Sequence, residues 1–375
     1  MMIRIILLLN PVYVTFFWML VLHLYPFRLK GPKVFLGKFM LVAFILYLSH
    51  FFYFTRQSDI YLFLDPFYTS ASLAVYPMYY IYVRLLTSEG TFSFRKHSGY
   101  LIIPVLFFIF EITALIMLDF DSGREYISSV LAGTTEPEGK QILPYSIYIA
   151  GRIVFILQVI VYMFLAHNQL LRYRKLVADY YSETESRSLK WVSVMNISYF
   201  IASMASLSLA YLGRERFLEN ELYLVFPSMV FSILLFILGY LGSRQESTAM
   251  QKTDHLYDID DLNEDSRIRL GNDLQVLFER DKIYLTPDLK ISDVCNALGT
   301  NRIYVSNIIN QKFKINFAGF VNSYRLEYAK NLIRENRKLR AEELADLSGF
   351  GSVNSLYRAF QDKGQSLADF RNNNI

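Results

Sequence analysis

The chain has 375 residues, 53% of them hydrophobic and 16% aromatic, with a formal net charge of +4. That hydrophobic content, with a positive mean hydropathy, sets it apart from ordinary soluble globular proteins and points to the membrane class, whereas +4 over this length identifies neither nucleic acid nor anionic lipid as a partner. A single cysteine, Cys295, excludes an internal disulfide framework and a Cys-based zinc site.

In chain order, stretches apolar enough to cross about 30 Å of hydrocarbon at roughly 1.5 Å per residue fall near 5–26, 39–55, 60–83, 100–118, 143–166, 191–212 and 222–242. Seven spans are expected. The first is read as a span rather than a secretory signal, because its apolar run is long and no small-x-small cleavage site closes it.

Alternate loops differ in basic residues. One set carries twelve Lys and Arg, including Arg28, Lys38, Arg95, Arg172 and Arg187; the other carries six, and its longest member (119–142) is acidic. Basic short loops stay in the cytoplasm. The expected topology is an N-terminus outside and a C-terminus in the cytoplasm.

Ionisable side chains within spans are costly and point to function. Asp65, Glu111 and Arg152 lie about 7, 10 and 13 Å from the outer ends of their spans by helix rise. They are a candidate sensory cluster, with His50 as a possible fourth member. The competing expectation is structural: Arg152 pairs with a carboxylate and clamps three spans together.

Residues 243–270 form a polar connector, acidic at "DIDDLNED" (258–265), with a helical start expected at Asp265 or Ser266. The acidic run is also a candidate screen for a basic surface elsewhere in the chain.

The tail, 271–375, has helix-period segments broken by Gly or Asn and no strand-like alternation. "ISDVCNALGTNRIYVSNIINQ" (291–311) has a helix-turn-helix pattern. Gly299 sits at the turn, the small Cys295 allows close helix crossing, and Val305 and Ile308 face inward. "AEELADLSGFGSVNSLYRAF" (341–360) repeats the plan with Ala345, Gly349, Leu356 and Phe360. Between them, "FAGFVNSYRLEYAKNLIRE" (317–335) reads as a long amphipathic helix with Phe317, Phe320, Tyr324, Tyr328 and Leu332 near one face. Tyr304, Leu356 and Phe360 are expected in the core.

On "YRLEYAKNLI" (324–333) and "ADLSGFGSVNSLYRAF" (345–360), residues 274–371 resemble the AraC/XylS family of bacterial transcription regulators. The resemblance implies two recognition helices entering successive major-groove segments. It implies DNA contacts from Arg302, Ile303, Ser306 and Asn307 in the first helix and Val353, Asn354, Ser355 and Arg358 in the second. Asn307 stands where the family often has a basic residue.

The five histidines show no metal-ligand spacing, and no phosphate-cradling loop, nucleophile elbow or HExxH occurs. No enzyme activity, metal or cofactor is therefore expected. The fold class expected is all-α, a seven-span bundle (1–242), the connector (243–270) and a cytoplasmic domain (271–375) with two helix-turn-helix units joined by a long helix. The function expected is a membrane-embedded one-component transcription regulator. Its partners are double-stranded DNA, the lipid bilayer, a small-molecule, peptide or membrane signal, and optionally a second copy. The alternative is a transporter or enzyme with a helical regulatory tail.

Overall fold

A computed structural model describes residues 2–24, 31–89, 91–185, 187–211, 222–245 and 264–373. The chain divides into two compact units, Met1–Leu170 with Lys190–Ala249, and Leu171–Leu189 with Met250–Ile375. Among the described residues the structure is all-α, with one isolated bridge between Tyr181 and Lys290.

Long helices occupy the seven expected positions: α1 (Met2–Leu24), α2 (Pro32–Phe54), α3 (Ser58–Arg84), α4 (Ile102–Ile116), α5 (Ile142–Tyr180), α6 (Lys190–Tyr211) and α7 (Leu222–Arg244). Five helical stretches, on α1, α2, α4, α5 and α7, are long and apolar enough to cross a membrane. In the first unit α3 packs against α2 and α4, α1 against α2 and α7, and α6 against α7.

Burial explains why α3 is more polar than its neighbours. Fifteen of its 27 residues are buried, against three of fifteen in α4. Its tyrosines and its Asp65 therefore face protein, while Ile102, Val105 and Ile109 of α4 and Ile153, Leu157 and Ile160 of α5 point outward. Outward apolar faces of this kind suit hydrocarbon. Pro11 lies inside α1, so the Leu7 carbonyl loses its helical donor. The Ser228 hydroxyl of α7 donates to that carbonyl instead, the kind of repair that lets proline persist in apolar helices.

Helix α5 has 39 residues, roughly 58 Å by helix rise. The apolar stretch predicts a span over 143–166, yet the helix continues fourteen residues further. No Pro or Gly interrupts that stretch, and Leu170, Tyr173 and Val177, at i, i+3 and i+7, are 0–1% exposed. Residues Leu171–Tyr180 of this helix belong to the second unit.

The second unit begins its C-terminal part with α8 (Glu264–Glu279), so the helix starts within the stretch read as connector. The acidic run before it, 258–263, lies outside the described residues. There follow α9 (Ile291–Leu298), α10 (Arg302–Ile308), α11 (Phe317–Glu335), α12 (Ala341–Leu347), α13 (Val353–Gln361) and α14 (Leu367–Asn373). Helix α11 serves two cores at once. Phe317, Phe320 and Val321 join Phe278, Val294 and Val305, while Leu326, Ala329 and Ile333 join Leu344, Leu356 and Phe360.

Each pair of short helices turns at a glycine in the left-handed region, Gly299 at φ 61° and Gly349 at φ 77°. Gly349 also needs to be small. A Cβ there would lie 2.8 Å from the Leu285 Cα and carbonyl oxygen and 2.9 Å from the Tyr284 carbonyl oxygen. Gly349→Ala is therefore expected to cost about 2 kcal/mol or more, from the left-handed penalty and a backbone collision. Hydrogen exchange over 341–360 checks this; protection equal to wild type would show that the turn relaxes freely.

Candidate functional site

Two short helices present outward polar faces in the second unit. In α10 the Asn301 side chain caps the first turn by accepting from the Tyr304 N–H at 3.1 Å. Arg302, Ile303, Ser306 and Asn307 are half-buried, and Asn310 donates to the Ser306 hydroxyl at 3.3 Å. Tyr304 was expected in the core and is only half-buried, because Val305 (1% exposed) and Ile309 (0%) take the inward stripe. Ile308 packs partly buried against that core.

The Arg302 guanidinium lies 5.9 Å from the centre of the Tyr180 ring. Nearby, burial pushes the Asp179 carboxyl above the usual carboxylate range, with Arg302 and Lys175 acting in the opposite direction.

In α13 the Ser352 hydroxyl caps the helix by accepting from the Ser355 N–H at 3.1 Å. Leu356 and Phe360 turn inward, as expected, while Asn354 and Tyr357 are exposed and Val353 and Arg358 are half-buried. Ser355, expected on the outward face, is 8% exposed. Its hydroxyl donates to Glu183 Oε2 at 2.8 Å, Ser352 donates to Glu185 Oε2 at 3.1 Å, and Arg358 donates to Glu185 Oε1 at 3.0 Å. The sequence reading missed Glu183 and Glu185, since no local pattern links residues more than 165 positions apart.

It also missed Arg325, which is 0% exposed. Its Nε donates to the Tyr284 carbonyl at 2.7 Å and a terminal nitrogen donates to the Thr286 carbonyl at 2.8 Å. The guanidinium lies 5.9 Å from the Phe350 ring centre, in the second turn. Burial lowers its pKa to about 10, with Glu183 and Asp288 opposing the shift. The group stays protonated at neutral pH. One signal was available: Arg325 lies four residues after Val321 and four before Ala329, inside the buried stripe of α11.

The first unit contains a cavity of about 320 Å³ whose wall includes His50, Tyr68, Tyr76, Tyr148, Arg152 and Phe155. Arg152 donates to the Tyr148 hydroxyl at 3.3 Å, and the His50 ring bonds the Tyr68 hydroxyl at 3.4 Å. Asp65 (3% exposed) and Glu111 (0%) are buried but are not part of the cavity wall. A Cβ on Gly151 would touch Phe107 at 3.4 Å and Thr69 at 3.9 Å. Helices α3, α4 and α5 therefore meet beside Arg152, with Asp65 and Glu111 each one helical turn from that junction. No group of three or more His, Cys, Asp or Glu residues able to hold a metal occurs among the described residues.

Residues 294–373 match the family model of a helix-turn-helix domain. No curated protein and no solved structure matches the chain. The match runs through both glycine turns and both outward-facing helices, α10 and α13. The C-terminal part of this chain is accordingly an AraC-type helix-turn-helix domain, the DNA-binding module of a transcription regulator.

Proposed function

We propose that the chain is a membrane-embedded one-component regulator: the first unit senses a signal within or outside a bacterial inner membrane, and the second reads DNA in the cytoplasm. The reading rests chiefly on one observation: a helix-turn-helix domain shares a chain with five helices apolar enough to cross a membrane. The charge bias of the loops supports an external N-terminus. In this reading Arg302, Ile303, Ser306 and Asn307, with Val353, Asn354, Ser355 and Arg358, meet the duplex.

The cavity is the proposed signal site. A wall of mixed aromatic and aliphatic side chains with Arg152 and His50 set into it suits an apolar molecule carrying one hydrogen-bonding or anionic end. Asp65 and Glu111 are buried outside that wall, each one helical turn from the junction of α3, α4 and α5.

The experiment uses the full chain in cells. A reporter active only outside the cytoplasm, fused after Ile375, is expected to stay silent. Arg152→Gln is expected to keep normal abundance while shifting the signal dose or locking promoter output. An active reporter would overturn the topology. Loss of abundance would make Arg152 a structural clamp, and normal abundance with an unchanged dose response would remove it from sensing.

A further inference from the structure

We propose that the segment Leu171–Leu189 masks the DNA-reading face of its own chain, its acidic residues holding the donors that DNA would otherwise engage. The proposal rests on the DNA-binding reading and adds to it a competitor for the same surface.

The segment is anchored away from the reading helices. The Ser182 N–H donates to the Leu289 carbonyl at 3.0 Å, and Tyr181 bridges Lys290. Arg187 grips both carboxylate oxygens of Asp288, at 2.8 and 3.0 Å, with its guanidinium 4.3 Å from the Tyr181 ring centre. All three points fall on residues 288–290, just before α9.

From that anchor the segment reaches both readers. Tyr180 packs on the first core and lies beneath Arg302, the opening residue of α10. Glu183 and Glu185 take Ser355, Ser352 and Arg358 at the start and face of α13. Gly351 makes room, since a Cβ there would lie 3.0 Å from Glu183 Oε2.

A helix N-terminus with a neighbouring arginine is a receptor for negatively charged oxygens. In a helix-turn-helix this end of the recognition helix enters the major groove. Carboxylate oxygens and the acceptors of DNA thus draw on the same donors. Those hydroxyls and that guanidinium cannot serve both at once. The segment comprises the last turns of α5 and the link to α6, on the side given to the cytoplasm by the loop charges, so it shares a compartment with the DNA it would exclude.

The first test uses the full chain in lipid nanodiscs and duplexes enriched from a mixed-sequence pool, each roughly 30–40 base pairs long to span two major-groove turns. Glu183→Ala/Glu185→Ala is expected to bind the enriched duplex roughly tenfold more tightly than wild type, the gain from freeing a mostly occupied site. Glu335→Ala/Glu342→Ala removes the same charge from exposed positions of the second unit and is expected to gain far less. Equal gains would reduce the effect to bulk charge and overturn the mask.

The second test locks the contact. A Cβ at Gly351 would lie 3.1 Å from Glu183 Cγ, which places cysteines at these two positions near the Cβ separation of about 4 Å that a disulfide needs. Gly351→Cys/Glu183→Cys is expected to bridge under mild oxidation, to lose duplex binding, and to recover it on reduction. Buried Cys295 remains in place, and the two single variants control for it. A bridged chain that binds as well as the reduced one overturns the mask, as does failure to bridge when both thiols react with maleimide. If neither wild type nor any variant enriches a duplex, the DNA-binding reading falls and the mask falls with it.

Discussion

Arg325→Met is expected to destabilise the second unit by about 2–4 kcal/mol, because it strips the donors from two carbonyls in a buried setting. The side chain is 0% exposed and holds the carbonyls of Tyr284 and Thr286 in the turn before α9, while facing Phe350 of the second turn. Gly349 packs on the backbone of Tyr284 and Leu285, so the two helix-turn-helix units meet at the point Arg325 organises. Losing it should loosen their mutual placement as well as their stability. Arg325→Lys retains the charge but not the planar fork and should fall between the two. Hydrogen exchange over 264–373 in the full chain measures the effect. Exchange unchanged in both variants would mean that packing alone aligns the readers.

Arg358→Ala is expected to weaken binding to the preferred duplex by about 1–3 kcal/mol, the usual worth of one base contact, which is roughly 5- to 150-fold. The same substitution removes the partner of Glu185. The loss measured in the otherwise native chain should therefore be smaller than in the Glu183→Ala/Glu185→Ala background, where nothing is left to release. The double-mutant cycle reads that difference directly. Lys363→Ala, at an exposed position beyond α13, serves as comparison and should only lower the salt slope by about one unit if it touches phosphate. A loss of the same size on every duplex would make Arg358 a backbone anchor rather than a base reader. Identical losses in the two backgrounds would separate it from the acidic contact.

The first unit and the mask suggest a common logic for regulation. Helix α5 carries Tyr148, Arg152 and Phe155 of the cavity wall, and its last residues, Leu171–Tyr180, open the masking segment. The segment's contacts to α13 are partly exposed, with side-chain exposures of 39% for Arg358 and 30% for Glu185. Ion pairs of this kind contribute little individually. A latch so built can be opened by a modest shift in equilibrium.

Much of the architecture was legible in the sequence because it rests on local chemistry. Apolar runs located the long helices. The limits of α11, Phe317–Glu335, match the amphipathic stretch residue for residue. Gly299 and Gly349 marked the turns because a left-handed backbone favours a residue without Cβ. The alternation of outward polar and inward apolar side chains marked the faces of α10 and α13, and the family resemblance made these two the candidate readers. Tertiary structure alone decided what those readers touch. Ser355 and Arg358 belong to an exposed-looking face by periodicity, yet carboxylates 172 and 173 residues earlier hold them. Arg325 reads as one more charge on an amphipathic helix until the carbonyls of Tyr284 and Thr286 come within hydrogen-bonding distance. Asp65 and Glu111 lie at a depth comparable to Arg152 by helix rise, but only tertiary packing puts Arg152 in the cavity wall and leaves the two carboxylates out of it. Helix periodicity specifies which way a side chain points relative to its own axis. Its partner is set by how distant segments pack, and a one-dimensional pattern carries no measure of that.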